Sequence, residues 1–266
     1  MKLLTLNTHS IIEENYVQKF KIFVEEIYKE HPDIIALQEI NQSADYPLAY
    51  CNSEFVPCSA NRPVVKADNH ALKAVSALRE RGLKYYWTWL GIKNGYDRFD
   101  EGLAFLSLRP IEKTTSILIS KASDYSNWKT RKALGILVGD TWFYNTHMGW
   151  WSDEEEPFEY QWRTLNSQLK THDRVWVMGD FNSPAQIHGE GYTLIKNSGY
   201  FDSYDAAQKK DDGITVTGKI DGWSENPFGV RIDHIWSNFA CDVKSSQVVF
   251  KGKKTVSDHF GVMIEI

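Results

Sequence analysis

Residues 175–182 read Val-Trp-Val-Met-Gly-Asp-Phe-Asn, an apolar run that ends in polar residues. The run predicts a buried β-strand, because it is short, apolar and rich in β-branched and aromatic side chains. Asp180 and Asn182 would then lie at the end of the strand, where a rigid sheet holds side chains in a shared crevice. Residues 179–182 alone also suit a turn, since Gly, Asp and Asn favour turns. Their interpretation therefore depends on the rest of the chain.

Polar residues accompany apolar strands at several other places in the chain. They are Asn7 after residues 3–6, Glu39 after residues 34–37, His147 after residues 142–146, Asp233 within residues 231–235, and Asp258 with His259 before residues 261–264. The carboxylate and amide oxygens of this set suit Mg²⁺ or Mn²⁺ better than zinc. The histidines suit proton transfer or the stabilisation of a charged phosphate. Each residue alone is weak evidence, whereas the ordered set predicts one shared site.

Hydrophobic periodicity between these points predicts the remaining elements. The pattern predicts helices over residues 14–30, 69–81 and 156–170, and further strands over residues 2–6, 85–90, 103–108, 134–138, 141–145 and 247–250. Gly139-Asp140 has the composition of a hairpin turn. Many strands, a few helices and a hairpin indicate an α/β domain with mixed sheets. No repeat or linker interrupts the chain, so we expect one domain over residues 1–266.

Charge and composition limit the function classes. The 266 residues include 30 Lys plus Arg and 35 Asp plus Glu, a formal net charge of −5. This balance, without a Lys/Arg-rich run, argues mildly against a protein that grips nucleic acid, although a basic patch can lie on an acidic protein. Three cysteines without CxxC spacing indicate neither a disulfide framework nor a zinc site. The sequence shows no bilayer-spanning run and no secretory signal, so we expect a cytoplasmic protein without a membrane partner.

The chain resembles the endonuclease/exonuclease/phosphatase superfamily in an ordered set of motifs that covers nearly all of it. The motifs are Leu-Asn-Thr (6–8), Leu-Gln-Glu (37–39), Asp-Glu-Gly-Leu-Ala-Phe-Leu-Ser (100–107), Thr-His-Met-Gly (146–149), Gly-Asp-Phe-Asn (179–182), Arg-Ile-Asp-His-Ile (231–235) and Ser-Asp-His (257–259). The resemblance implies a deoxyribonuclease I-like fold, a four-layer α/β/β/α sandwich of two packed mixed sheets. It also implies hydrolysis of a phosphoester with Mg²⁺, or Mn²⁺, as cofactor.

The resemblance implies a role for each metal-site residue. Glu39 would be the principal metal ligand, helped by Asn7 and Asp258. Some nuclease branches of the superfamily have Asp at the position of His9, which predicts a different outer shell of the metal here.

The resemblance also assigns the residues that act on water and phosphate. Asp180 would position or deprotonate the attacking water, and Asn182 would donate a hydrogen bond to the phosphate or hold Asp180. His259 would contact the phosphoryl oxygens, oriented by Asp233. These positions offer no Ser or Cys nucleophile, so we expect in-line attack by water without a covalent intermediate.

His147 fills a second histidine position of the deoxyribonuclease I and sphingomyelinase branches, with Glu101 as its expected carboxylate partner. A base-repair nuclease of the exonuclease III type would have Tyr near this position. That branch is therefore disfavoured.

Aromatic loops near the motifs suggest the substrate class. Trp150 and Trp223 lie among turn residues, and aromatic faces beside polar groups suit a sugar ring. Trp87 and Trp89 are expected in the core instead. Arg131, before a strand, is the candidate phosphate contact, and the alternative is that its basic cluster is a solvated entry to the strand. Loop strings at residues 95–107, 147–158 and 178–185 also resemble a narrower bacterial branch that includes maltose 6′-phosphate phosphatases.

The predicted function is therefore a phosphomonoesterase that acts on a small sugar phosphate such as maltose 6′-phosphate. The alternative is a Mg²⁺-dependent endonuclease or phosphodiesterase acting on nucleic acid or a sphingomyelin-like lipid, which requires a basic groove or an exposed apolar hairpin. A non-enzymatic binding module is disfavoured, because every catalytic position holds a competent residue. The expected partner is a small-molecule phosphoester, and the oligomeric state stays open.

Overall fold

The structure is a computed structural model that describes residues 1–58, 63–217 and 228–266. Its helices are α1 (Tyr16–Glu30), α2 (His70–Glu80), α3 (Phe158–Leu169), α4 (Gly191–Asn197) and α5 (Ser203–Ala206). Its strands are β1 (Lys2–Asn7), β2 (Ile34–Ser43), β3 (Tyr86–Gly95), β4 (Phe99–Ser107), β5 (Lys113–Leu118), β6 (Lys132–Val138), β7 (Thr141–His147), β8 (Val175–Asp180), β9 (Phe201–Asp202), β10 (Ala207–Lys210), β11 (Asp233–Ser237), β12 (Val243–Val249) and β13 (Gly261–Glu265). In the described parts of the chain, no helix is long and apolar enough to cross a membrane.

The strands form two mixed sheets. The first has the order β10-β12-β13-β1-β2-β4-β3 and the second the order β5-β6-β7-β8-β11-β9. β1 pairs in parallel with β2, and β7 with β8, whereas β13 and β11 run antiparallel to their neighbours in these groups. β6 and β7 form the predicted hairpin through Gly139, whose φ is +63°.

The two sheets pack face to face, and helices cover both outer faces. Leu3 and Phe105 of the first sheet meet Ile136 and Met178 of the second in a common apolar core. Leu4, the neighbour of Leu3, points the other way against α1 and α2, as alternation along a strand requires. Helices α3 and α4 cover the second sheet in the same way. The predicted four-layer α/β/β/α sandwich is confirmed.

Several elements differ from their predicted bounds. β3 continues to Gly95, past its predicted end at Leu90, and β4 begins at Phe99, before its predicted start at Leu103. Both extensions carry buried polar residues that break the apolar pattern. β5 is largely half-exposed and so lacks a clear apolar period. α5, β9 and β10 are only two to four residues long. Trp87 and Trp89, in contrast, are fully buried between the first sheet and its helices, as expected.

A buried asparagine joins the two sheets near the ends where the predicted site residues lie. Asn145 of β7 donates from Nδ2 to the carbonyl oxygens of Leu37 and Ala104, both at 2.9 Å, across the gap to β2 and β4. Its Oδ1 accepts from Nε2 of Gln38 at 2.6 Å. Because every buried polar atom in this group has a partner, the link fixes how the sheets lie against each other.

A buried histidine between α1 and α2 makes the stability of the fold dependent on pH. The Tyr16 hydroxyl lies 3.1 Å from Nδ1 of His70, and burial, with the charge of Lys73, lowers the pKa of His70 from 6.5 to about 3. The unfolded chain takes up the proton near its ordinary pKa. The free energy of unfolding therefore falls as the pH drops from 6.5 towards 3.

We expect His70→Gln to remove this contribution. Between pH 7 and pH 5 the loss of unfolding free energy should be smaller in the variant than in the wild type by about 2 kcal/mol. Urea unfolding at both pH values measures this difference. His188→Gln, at an exposed position, is the control and should behave as the wild type. An identical pH dependence in His70→Gln and the wild type would contradict the prediction.

Candidate active site

A β-bulge sets the position of Glu39. The pairing of β2 with β4 shifts register between Leu37 and Ile40, and the backbone of Glu39 has a φ of +50°. Such a backbone is costly at a non-glycine residue and clusters at functional sites, where bulges also re-aim side chains. The prediction that this strand ends at Leu37 is wrong, because β2 continues through the bulge to Ser43.

Asp180 is the last residue of β8 and lies between two neighbouring strands. His147 of β7 is its register partner on one side, and Asp233 of β11 is its partner on the other. Gly179 allows β7 to approach closely, because a Cβ at this position would lie 1.9 Å from the carbonyl oxygen of Thr146. The local sequence thus brings three predicted site residues together where neighbouring strands of the second sheet end or begin.

The Asp180 carboxylate lies at the centre of the site and is close to four of its residues. Its Oδ2 accepts from Asn7 Nδ2 at 3.1 Å, and its Oδ1 accepts from the Asn182 backbone N–H at 2.9 Å. The Nε2 atoms of His147 and His259 lie 3.6 and 3.7 Å from Oδ2. Burial, opposed by the charge of His259, raises the pKa of Asp180 to about 7. A carboxylate with this pKa suits a general base at neutral pH.

His259 and Asp233 form a buried pair beside Asp180. Nδ1 of His259 lies 3.0 Å from Oδ2 of Asp233. Burial opposes the charged imidazole, but the carboxylates of Asp233 and Asp180 raise the pKa of His259 to about 10. His259 is therefore a cation at neutral pH, which suits a group that faces charge developing on phosphoryl oxygens.

The expected pairing of His147 with Glu101 is wrong. Oε1 of Glu101 lies 3.1 Å from Nζ of Lys93, because the two residues are register partners on β4 and β3. The carboxylates beside His147 are those of Asp180 at 3.6 Å and Glu39 at 4.0 Å. Burial lowers the pKa of His147 well below 6.5, so this imidazole is neutral at neutral pH.

Glu39 and its neighbours have the chemistry of a divalent-metal site. Nδ2 of Asn7 donates to Oε1 of Glu39 at 2.9 Å. Burial and the nearby carboxylates of Glu101 and Asp258 raise the pKa of Glu39. Oxygen donors that repel one another in this way are stabilised by a divalent cation, and they suit Mg²⁺ or Mn²⁺. The residues present therefore fit the metal that the motifs implied.

Sequence reasoning missed a neighbouring acidic residue. Glu13 Oε1 lies 2.8 Å from Nδ1 of His9 and accepts from the Asp258 backbone N–H at 3.2 Å. Burial opposes the charge, but the hydrogen bond with Glu13 and the charge of Glu39 raise the pKa of His9 to about 9. One ligand atom from each of His9, Glu13 and Asp258 lies within 4.8 Å of the others. The four-residue spacing from His9 to Glu13 was the one sequence feature that could have indicated their contact.

Most of the site side chains line one part of a cleft of about 530 Å³, namely His9, Glu39, Glu101, His147, Asp180, Asn182, Asp258 and His259. The rest of its wall includes the cations Lys93 and Arg131 and the rings of Tyr96, Trp128 and Trp150. The Trp128 and Trp150 rings are tilted, with centroids 6.1 Å apart. Trp223 lies outside the described residues. The cleft thus combines acidic, cationic and aromatic walls, and it brings Arg131 and Trp150 together with the predicted motif residues.

Sequence reasoning missed Lys93 and Trp128 among the cleft residues. Lys93 ends an apolar run in β3, so it carries the same signal that singled out the other site residues. Trp128 precedes β6 in an irregular segment and has no comparable signal, because its place in the cleft depends on contacts distant in sequence.

The chain matches the model of the endonuclease/exonuclease/phosphatase family over residues 4–259. It belongs to this family. The matched residues include all the motifs from Asn7 to His259. Members of the family hydrolyse phosphoesters and are generally dependent on a divalent metal. The comparison with curated proteins found no match.

Solved structures of endonuclease/exonuclease/phosphatase proteins share the fold. A family protein from Leptotrichia buccalis is 29% identical, with a TM-score of 0.86, covering 100% of this chain and 99% of that chain. A mannosyl-6-phosphatase from Bacteroides thetaiotaomicron is 17% identical, with a TM-score of 0.65 and coverage of 100% and 98%. A 3′ phosphatase from Neisseria, bound to a product DNA hairpin, is 18% identical, with a TM-score of 0.64 and coverage of 100% and 99%.

Proposed function

We propose that this family member is a divalent-metal-dependent phosphomonoesterase for a small sugar phosphate, such as maltose 6′-phosphate. The composition of the cleft carries the proposal. Lys93, Arg131, Trp128 and Trp150 line the same cleft as Asp180. Cations suit a phosphate group, and aromatic faces suit the apolar face of a sugar ring. The volume is that of a pocket for a small ligand, roughly 300–1,000 Å³.

The hydrolytic step follows from the charges around Asp180. The carboxylate of Asp180, held by the backbone N–H of Asn182, accepts a proton from water as the water attacks phosphorus in line. The bond between phosphorus and the sugar oxygen breaks, and this oxygen takes a proton from solvent and leaves as the alcohol. Cationic His259 stabilises the negative charge that spreads over the phosphoryl oxygens, and Asp233 keeps its ring oriented. Neutral His147 lies beside the same carboxylate and provides a hydrogen bond to the phosphoryl group.

The remaining residues bind the cofactor and the substrate. Glu39, Asn7 and Asp258 would hold Mg²⁺ or Mn²⁺. The bound metal supplies positive charge that polarises the phosphoryl group and stabilises the leaving oxygen. Arg131 contacts the phosphate, and Trp150 packs on the sugar.

The second candidate function is hydrolysis of nucleic acid or a lipid phosphodiester. The structure of the same fold bound to a product DNA hairpin favours it. The formal net charge of −5 does not, because nucleic-acid binding draws on clustered basic charge. We therefore propose a small-molecule phosphoester as the partner.

Phosphate release over a panel of substrates tests the proposal. The panel holds maltose 6′-phosphate, mannose 6-phosphate, nucleotides, plasmid DNA and sphingomyelin, each with Mg²⁺ and with EDTA. We expect EDTA to abolish release, because the metal neutralises the carboxylates around Glu39, and sugar phosphates to give the highest kcat/KM. Re-addition of Mg²⁺ to the EDTA-treated protein is the control and should restore activity. Nicked plasmid without turnover of any sugar phosphate would establish the nuclease instead.

A further inference from the structure

A buried lysine lines the cleft at a register shift in β3. The pairing of β3 with β4 shifts between Gly91 and Lys93, which places Lys93 opposite Glu101. The Lys93 ammonium forms an ion pair with Glu101 at 3.1 Å, and only 7% of the residue is exposed. Burial of an ammonium is costly even when it is paired. A lysine retained at the wall of a cleft under this cost points to a ligand that needs its charge.

One backbone carbonyl holds this lysine next to a second buried cation. The carbonyl oxygen of Trp128 accepts from Lys93 Nζ at 3.0 Å and from Arg131 Nη1 at 2.9 Å. Arg131 is 5% exposed. Its Nε is buried and has no hydrogen-bond partner among the residues that the structure describes. An unsatisfied buried donor of this kind is destabilising by itself, so the position of this guanidinium is not explained by the hydrogen bonds of the fold alone.

The two cations differ in how closely carboxylates approach them. Glu101 pairs with Lys93 at 3.1 Å. Arg131 forms no ion pair within 4.0 Å in the described ranges, and the charges of Glu101, Glu39, Asp180 and Asp153 act on it from a longer distance. A phosphomonoester has a second pKa near 6 and carries close to two negative charges at neutral pH. A phosphodiester carries one. A pair of desolvated cations therefore discriminates between the two classes by charge, since electrostatic interactions strengthen when water is excluded.

The contacts of Trp128 and of its neighbour Lys129 hold the segment that carries the aromatic wall beside the cations. Lys129, the residue after Trp128, forms ion pairs with Asp153 at 2.9 Å and Glu155 at 2.8 Å, on the segment that follows Trp150. The Trp128 backbone is thus tied to β3 by Lys93 and to the Trp150 segment by Lys129. A substrate whose phosphate contacts the cations would meet a Trp128 backbone already held in place, which lowers the entropy cost of binding.

We propose that Lys93 and Arg131 form a two-cation subsite that selects a phosphomonoester dianion over a phosphodiester, and that Lys93 also positions Trp128 through its carbonyl. The inference rests on the proposed function and names the feature that sets its substrate class. Lys93 is a specificity-determining residue in this scheme.

The test compares two stable ligands that differ in one charged oxygen. Methylphosphonate, at a pH where it is a dianion, and dimethylphosphinate, a monoanion, are titrated into the Mg²⁺-loaded protein by calorimetry. We expect Lys93→Met to weaken methylphosphonate binding at least tenfold and dimethylphosphinate binding less than threefold. Lys93→Arg should recover methylphosphonate affinity to within threefold of the wild type. Lys113→Met, at an exposed position at the start of β5, is the control and should match the wild type. Far-UV circular dichroism and thermal unfolding check that each variant is folded.

Each other outcome overturns the inference. Equal losses for both ligands in Lys93→Met would mean that Lys93 does not select by charge. Unchanged affinities, or a wild type that binds no methylphosphonate, would remove the subsite. Because these titrations need no turnover, they decide the role of Lys93 separately from the proposed function, which fails only if the wild type releases phosphate from no sugar phosphate in the panel.

Discussion

Replacement of Asp180 by Asn is expected to lower kcat for the preferred phosphoester by about a thousandfold or more, with KM changed less than about threefold. Asn has the volume of Asp and can still accept the hydrogen bond from the Asn182 backbone N–H. It cannot take a proton from the attacking water. Steady-state kinetics at saturating Mg²⁺ and neutral pH measure both constants.

Thermal unfolding separates a chemical effect of this substitution from a structural one. Burial raises the pKa of Asp180, so the ionised carboxylate destabilises the folded protein at neutral pH. The Asp180→Asn variant should therefore unfold at the same temperature as the wild type or a higher one. Asp242→Asn, at an exposed position, is the matched control. A kcat within tenfold of the wild type would remove Asp180 from the catalytic step.

Replacement of Glu39 by Gln is expected to weaken Mg²⁺ binding by about a hundredfold or more and to lower kcat even at high Mg²⁺. The substitution keeps a side chain that can accept from Asn7, but it removes the charge that would hold the cation. Calorimetric titration with Mg²⁺, and with Mn²⁺ followed by electron paramagnetic resonance, measures affinity without turnover.

Thermal unfolding again separates a loss of metal binding in Glu39→Gln from a loss of folded structure. Its carboxylate has a raised pKa because of burial and the charge of Glu101. Gln should therefore leave the unfolding temperature unchanged or raise it. Glu159→Gln on the exposed face of α3 is the control and should bind metal as the wild type does. Wild-type Mg²⁺ affinity in Glu39→Gln would assign the metal to other ligands.

Hydrophobic periodicity predicted most of the strands, because the buried strands alternate between two apolar surfaces, whereas the four-layer arrangement was implied by the family resemblance. Leu3 and Leu4 illustrate this, since one faces the opposite sheet and the other faces the helices. Short or half-exposed elements such as β5 and β9 have too few buried residues to produce a pattern. Their formation depends on neighbouring strands, which local sequence does not reveal.

Site residues at the ends of predicted strands could be found from the sequence. Residues whose position depends on contacts between distant parts of the chain could not. Asp180 and His147 come together because parallel neighbours bring their strand ends level. Glu101 pairs with Lys93 instead of His147 because β3 and β4 are in a shifted register that no local motif encodes. The cleft position of Trp128 likewise depends on residues about 35 positions away in sequence.

The hydrogen bonds at the centre of the site cross from one sheet to the other. His259 precedes β13 in the first sheet, whereas Asp233 begins β11 in the second. Asn7 and Asp180 are divided in the same way. An expanded state that keeps both sheets but lets them separate would retain its far-UV circular dichroism and hydrolyse nothing. Hydrolysis therefore reports whether the two sheets are packed together, and a partly folded chain in which they have separated is inactive.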